Sequence, residues 1–139
     1  MGKFSIIMAE SSRAKYSGGK RAFHSDLRAR AVRGDSGMID INVRLGTLNV
    51  GSMTGKGREL VDLMVRRRVN ILCVQETRWM GDKAKVLAEG YKLFYSSASK
   101  DKRNGVGIVV DKDLVEEVCE VDRVNDRIMS VKVVIGTQV

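Results

Sequence analysis

Ile71-Leu-Cys-Val-Gln-Glu-Thr-Arg-Trp79 begins as a short apolar run and ends in an abrupt polar cluster. Residues 71–74 suit a buried strand, since a short continuous apolar run can bury both of its faces. Gln75 and Glu76 then set an amide and a carboxylate where that strand emerges. A carboxylate at the end of a buried strand suits a hard metal ion, which takes oxygen ligands. Arg78 and Trp79 follow at once. A guanidinium matches phosphate, and a flat ring matches a base or sugar. The stretch also fits a plainer reading, a strand end whose Glu and Arg are only solvated.

Upstream, Ile41, Val43 and Leu45 alternate with Asn42 and Arg44, the pattern of a strand, and it runs on to Val50. A glycine-bounded loop follows, in which Ser52 or Thr54 is a candidate helix cap. Residues 57–69 read as a helix. Leu60, Leu63 and Met64 fall at helical spacing, and Val61 and Val65 widen the apolar face. Glu59 and Asp62 lie early and Arg66, Arg67 and Arg68 late, matching the helix dipole. Asp62 and Arg66 are an i,i+4 pair, and Asn70 is the expected closing residue. A helical crossover between the two strands makes them candidates for parallel neighbours in one sheet.

Downstream, residues 80–88 are polar and read as a short helix. Residues 91–95 read as a strand, and 96–104 as a loop carrying Lys100, Lys102 and Arg103. Residues 105–110 form another strand, whose Gly105 and Gly107 let a second backbone approach closely. Two more strands, 114–121 and 128–135, are joined by the turn-like 122–126. One helix between strands, followed by a run of strands, gives an α/β layered arrangement.

The totals narrow the class. A chain of 139 residues makes one modest core, and 43% hydrophobic with 30% charged residues describes a soluble globular protein. No apolar run approaches a bilayer span, and residues 4–9 are too short for a signal-peptide core, so the expected compartment is intracellular, nucleus or cytoplasm. The net charge of +8 favours polyanions such as nucleic acid. Half of that excess lies in residues 1–40, with eight Lys/Arg against four Asp/Glu. This segment has serine- and glycine-rich turn signals and poor apolar periodicity. It reads as a basic, mostly disordered leader, helical at most over residues 25–32. Cys73 and Cys119 form no CxxC pair and read as buried, reduced thiols. With no proline, the chain holds no proline-containing loop motif.

Three motifs occur in one order: Arg44-Leu-Gly-Thr-Leu-Asn49-Val50, the Ile71 to Trp79 stretch, and Asn104-Gly-Val-Gly-Ile-Val-Val110. Together they resemble the endonuclease/exonuclease/phosphatase superfamily. The nearest likeness is to the apurinic-type endonuclease domain of RTE-class retrotransposons, and host proteins of the craniofacial development protein 2-like kind are similar. The resemblance covers residues 43–139. It implies a four-layer α/β sandwich and magnesium-dependent hydrolysis of a phosphodiester in DNA. Glu76 matches the family's metal-binding glutamate, and Asn49 matches the asparagine that helps order the metal site. Arg78 and Trp79 would line the nucleic-acid side. The family's catalytic tyrosine, in a Tyr-Ala-Pro-like segment, has no counterpart in these residues. Nor has its Gly-Asp-Phe-Asn-like loop or its Ser-Asp-His. His24, the single histidine, lies outside the matching region. Residues 41–139 are thus expected to form a partial, truncated domain that is catalytically incomplete by itself. The uncovered sheet of a partial sandwich would favour self-association. The alternative is a noncatalytic, basic nucleic-acid-binding protein.

Overall fold

Period-two alternation in the Ile71 strand sets the layers of the molecule. Ile71 and Cys73 face one apolar cluster while Leu72 and Val74 face another. The continuous run is therefore a strand buried on both faces. A computed structural model describes residues 2–9, 22–32, 38–96 and 104–135, with side chains from Val43 to Val134.

In chain order the elements are β1 (Gly2–Ala9), β2 (Ala22–Val32), β3 (Met38–Asn49), α1 (Gly57–Arg67), β4 (Ile71–Gln75), β5 (Lys83–Val86), β6 (Lys92–Ser96), β7 (Val106–Val110), β8 (Val118–Arg123) and β9 (Ile128–Ile135). Single 3-10 turns, Ala88–Gly90 and Val115–Glu117, precede β6 and β8. Six strands form a mixed sheet in the order β2-β3-β4-β7-β6-β5, and three form an antiparallel sheet, β1-β9-β8. As the helical crossover implied, β3 and β4 are parallel, with Leu45 opposite Ile71 and Asn49 opposite Gln75.

Helix α1 covers one face of the larger sheet. Its Leu60, Val61 and Met64 pack with Leu72, Val74, Leu93, Tyr95 and Val109. The smaller sheet covers the other face, where Met129, Val131 and Val133 meet Val43, Ile71, Phe94, Ile108 and Val110. The architecture is α/β, a helix layer on two stacked sheets. Gly107 of β7 is where the side chains of the flanking strands β4 and β6 leave no room for another carbon. A Cβ there would lie 2.7 Å from Leu93 Cδ1 and 3.1 Å from Val74 Cγ2. Among the described residues, no helix is long and apolar enough to cross a membrane.

Several local expectations change. Of the expected leader, residues 1, 10–21 and 33–37 lie outside the described set, and the rest is strand. Residues 25–32 belong to β2, paired antiparallel with β3, and not to a helix. His24, Asp26, Arg28 and Arg30 alternate with Ser25, Leu27 and Ala29, a period of two that outweighs helix propensity. The expected helix over 80–88 is β5 plus a 3-10 turn, because Lys83–Val86 completes the sheet edge against β6. The basic loop residues Lys100, Lys102 and Arg103 lie outside the described residues.

Helix α1 is closed by Arg68 in the left-handed conformation, with Val69 N–H reaching back to Met64 O at 2.9 Å. Asn70 is occupied elsewhere: its Oδ1 accepts from Arg44 N–H and its Nδ2 donates to Asp111. Ser52 and Thr54 do not cap the helix; Lys56 holds that position, and its side chain makes no capping bond to the helix. Ser52 Oγ instead accepts from Thr54 N–H at 3.2 Å. Asp62 pairs with Arg58, one turn earlier, at 3.5 Å.

The thiols are less buried than their apolar surroundings suggested. Cys119 is exposed and Cys73 is half-buried. Val118 pairs with Val133 and Glu120 with Lys132, so Cys119 is the extra residue of a bulge. A bulge leaves its extra residue out of the ladder, which frees Cys119 from the inner face.

Candidate functional site

The parallel ladder brings the ends of β3 and β4 together. Asn49 is the last residue of β3 and lies opposite Gln75, so Glu76 follows at the same end of the parallel ladder. Outward ends of neighbouring parallel strands are where α/β sheets gather ligand-binding groups. The resemblance's two metal-site residues, Asn49 and Glu76, are thus adjacent in the fold.

The chain beyond β4 is held on both sides. Val50 N–H donates to Gln75 O at 3.0 Å, and Met53 N–H to Thr77 O at 2.9 Å. From the other side, Thr77 N–H donates to Gly105 O at 3.1 Å and Arg78 N–H to Asn104 O at 3.0 Å. Glu76 and Arg78 both take left-handed backbone angles, φ 56° and 59°. For residues with a Cβ that conformation costs about 1–2 kcal/mol each, and the flanking hydrogen bonds offset it. The resulting zigzag buries Thr77 and leaves Glu76 and Arg78 facing outward.

Glu76 keeps a side chain 34% exposed, with the Arg78 guanidinium 3.9 Å from its carboxylate. So long and open a pair is worth little, since solvent screens it. Asn49 is exposed, and its Oδ1 accepts from Gly51 N–H at 3.0 Å, which turns the chain away from β3. Gln75 is anchored by its Nε2, which donates to Thr47 Oγ1 at 2.7 Å. The ammonium of Lys56 donates to Val50 O and ties the loop back to the strand.

Trp79 is half-buried against the helix-side core. Its ring meets Tyr95 edge-to-face, with centroids 5.4 Å apart, and the Lys85 ammonium lies 4.9 Å from the ring centroid. A base stacking on that face would have to displace Lys85. Arg78, 48% exposed, is the freer of the two expected nucleic-acid contacts.

Glu76 and Asn49 offer oxygen donors, the kind magnesium takes, and magnesium sites commonly use only one or two protein carboxylates. The donor set fits magnesium in kind and stays small: among the described residues, no three His, Cys, Asp or Glu side chains cluster as a metal site. Neither thiol adds to it. Burial pushes the Cys73 thiol up to about 11, and Cys73 points into the sheet interface.

Sequence reading left unassigned the parts that Thr77, Asn104, Gly105 and Asp126 play in this corner. Thr77 is fully buried, and its Oγ1 has no hydrogen-bond partner among the described residues. Asn104 Nδ2 donates to Asp126 Oδ2 at 3.1 Å, and Gly105 N–H to Asp126 O at 3.1 Å. Asn104 stood in a recognised motif, but its partner lies 22 residues away in a turn that carried no distinguishing signal.

Comparison with curated proteins finds craniofacial development protein 2 of Bos taurus, 30% identical over 89 residues. The same protein of Tragulus javanicus is 29% identical over 89 residues. Each match covers 63% of this chain and 15% of the relative, so the chain spans a small part of either protein. No family model and no solved structure matches. The chain is therefore similar to craniofacial development protein 2, in agreement with the craniofacial development protein 2-like part of the resemblance.

Proposed function

We propose that this chain supplies the glutamate corner of a magnesium-dependent phosphodiester hydrolase of the endonuclease/exonuclease/phosphatase type, of retrotransposon origin and acting on DNA. By itself it is catalytically incomplete. The observation that carries this reading is the adjacency of Asn49 and Glu76 at the ends of neighbouring parallel strands. Glu76 would hold the cation, with the Asn49 amide beside it. When bound, magnesium stabilises charge that develops on a phosphoryl oxygen. Arg78 provides a cation for backbone phosphate next to that carboxylate. Hydrolysis also needs a group to activate water, and the described site offers one half-exposed carboxylate and no histidine.

The test is a nicking assay on abasic and supercoiled DNA with magnesium, comparing the chain with Glu76→Ala. Absence of nicking by either, together with divalent-cation binding that Glu76→Ala removes, is the expected result. Robust nicking that disappears in Glu76→Ala overturns the incompleteness.

A second reading, a noncatalytic nucleic-acid-binding protein, is favoured by the net charge of +8. It predicts DNA binding that weakens steeply with salt and is indifferent to Glu76→Ala. The larger sheet has β5 as one edge, and the smaller has β8. Open edges support self-association, read as a concentration-dependent mass in sedimentation.

A further inference from the structure

We propose that Asp126 is a positioning residue for Glu76, acting across the two sheets through Asn104. Asp126 sits in the turn between β8 and β9 of the smaller sheet, while Glu76 directly follows β4 of the larger sheet. The route between them is continuous. The Asp126 carboxylate accepts from Asn104 Nδ2 at 3.1 Å, and its carbonyl accepts from Gly105 N–H at 3.1 Å. Both bonds fix the two-residue segment just before β7. That segment's own carbonyls take the N–H groups of Arg78 and Thr77, at 3.0 and 3.1 Å. Thr77 O then accepts from Met53 N–H at 2.9 Å, beyond the end of β3. The 76–78 backbone is thus gripped by a segment that Asp126 immobilises.

The grip matters because the corner is conformationally costly. Glu76 and Arg78 both hold positive φ, which an unsupported chain would relax. Among the described residues the side chain of Glu76 has little else to orient it, its one ion pair there being 3.9 Å long. Its direction is set by the backbone, and the backbone by the 104–105 segment. The turn carrying Asp126 is itself anchored to the larger sheet. Ser96 Oγ donates to Asn125 O at 2.5 Å, and Arg123 Nε donates to Tyr95 O at 2.8 Å. Asn125 Oδ1 accepts from Arg127 and Ile128 N–H, at 2.8 and 2.9 Å, and so fixes the turn itself. Partners that orient a ligand from behind commonly govern its affinity by about tenfold or more.

The cation arm of this proposal rests on the functional reading above; the backbone arm does not. The full chain, Asp126→Ala, Asp126→Asn and Glu76→Ala are compared by amide hydrogen exchange and by Mn2+ titration followed by electron paramagnetic resonance. In Asp126→Ala, exchange at Thr77 and Arg78 is expected to rise about tenfold, with Leu72, Val74 and Val109 unchanged. Mn2+ affinity is expected to fall about tenfold. Asp126→Asn should restore most of both, because its amide oxygen still accepts from Asn104. Unchanged exchange at Thr77 and Arg78, or an equal rise throughout β4 and β7, overturns the proposal. So does unaltered Mn2+ affinity in Asp126→Ala when Glu76→Ala abolishes binding. If the unsubstituted chain holds no Mn2+, the cation reading falls, and the exchange result alone decides whether Asp126 sets the corner.

Discussion

Both ends of the paired strands β4 and β7 carry a carboxylate and an asparagine, and the two ends are built to different purposes. At one end lies Asp111, 5% exposed. Its Oδ2 accepts from Asn70 Nδ2 at 2.8 Å, and its Oδ1 accepts from the N–H groups of Asp113 and Leu114, at 3.1 and 2.9 Å. At the other end lies Glu76, half-exposed, with one long contact to Arg78 among the described residues. The first carboxylate has its lone pairs spent on the fold. Among the described residues, no hydrogen bond engages the second. Occurrence at a strand end does not separate a structural carboxylate from a ligand; the difference is how many donors the protein already aims at it.

This contrast makes its largest prediction at Asp111. Asp111→Ala strands the Asn70 amide and two backbone N–H groups, and should cost about 3 kcal/mol in urea unfolding. Glu76→Ala should stay within about 0.5 kcal/mol of the unsubstituted chain, as an open surface position does. Equal losses at both positions would break the distinction.

Next in size is Gly107, in β7 between the two ends. Gly107→Ala drives a Cβ into Leu93, Val74 and the Phe94 carbonyl. Overpacking of this kind costs about 2 kcal/mol. A thermal midpoint unchanged by the substitution would show that the side chains of β4 and β6 pack more loosely around β7 than the contacts imply.

A pH effect follows from Cys73, whose thiol rises from 9.0 to about 11 because burial disfavours the thiolate. Between these values the unfolded chain loses a proton that the folded chain keeps. Stability is therefore full below pH 9 and declines as pH rises from 9 toward 11. The same burial makes Cys73 slow toward a thiol reagent at pH 8, while exposed Cys119 reacts quickly. Counting fast-reacting thiols, about one per folded chain, checks this.

The smallest effect belongs to the corner itself. Thr77 buries a hydroxyl oxygen with no partner among the described residues, so Thr77→Val removes a desolvated polar atom at nearly constant shape. It should change stability by less than about 1 kcal/mol, and in the favourable direction. A large loss would reveal a bond to that hydroxyl.

How much of this was legible follows from the range of each interaction. Local periodicity exposed β3, α1, β4, β7 and β9, because burial on one or two faces writes itself into adjacent residues. Strand β5 left no such trace: Lys83, Ala84, Lys85 and Val86 are all exposed, and only backbone pairing to β6 makes them a strand. Glu76 and Asn49 stood out as polar residues ending apolar runs. The parts that hold Glu76 did not. Arg68, Glu76 and Arg78 adopt left-handed angles without being glycine, against local preference. Asn104 meets Asp126 across two sheets, and no spacing rule announces such a pair. The fold class was readable from neighbours in sequence, and the support of the site depends on neighbours in space.

The most direct test of the contrast between the two ends is Mn2+ binding, titrated into the full chain, Glu76→Ala and Asp111→Asn. The expected result is a single site lost in Glu76→Ala and kept in folded Asp111→Asn. Binding that survives Glu76→Ala, or that fails already in the unsubstituted chain, would contradict the assignment of Glu76 as the ligand-ready carboxylate.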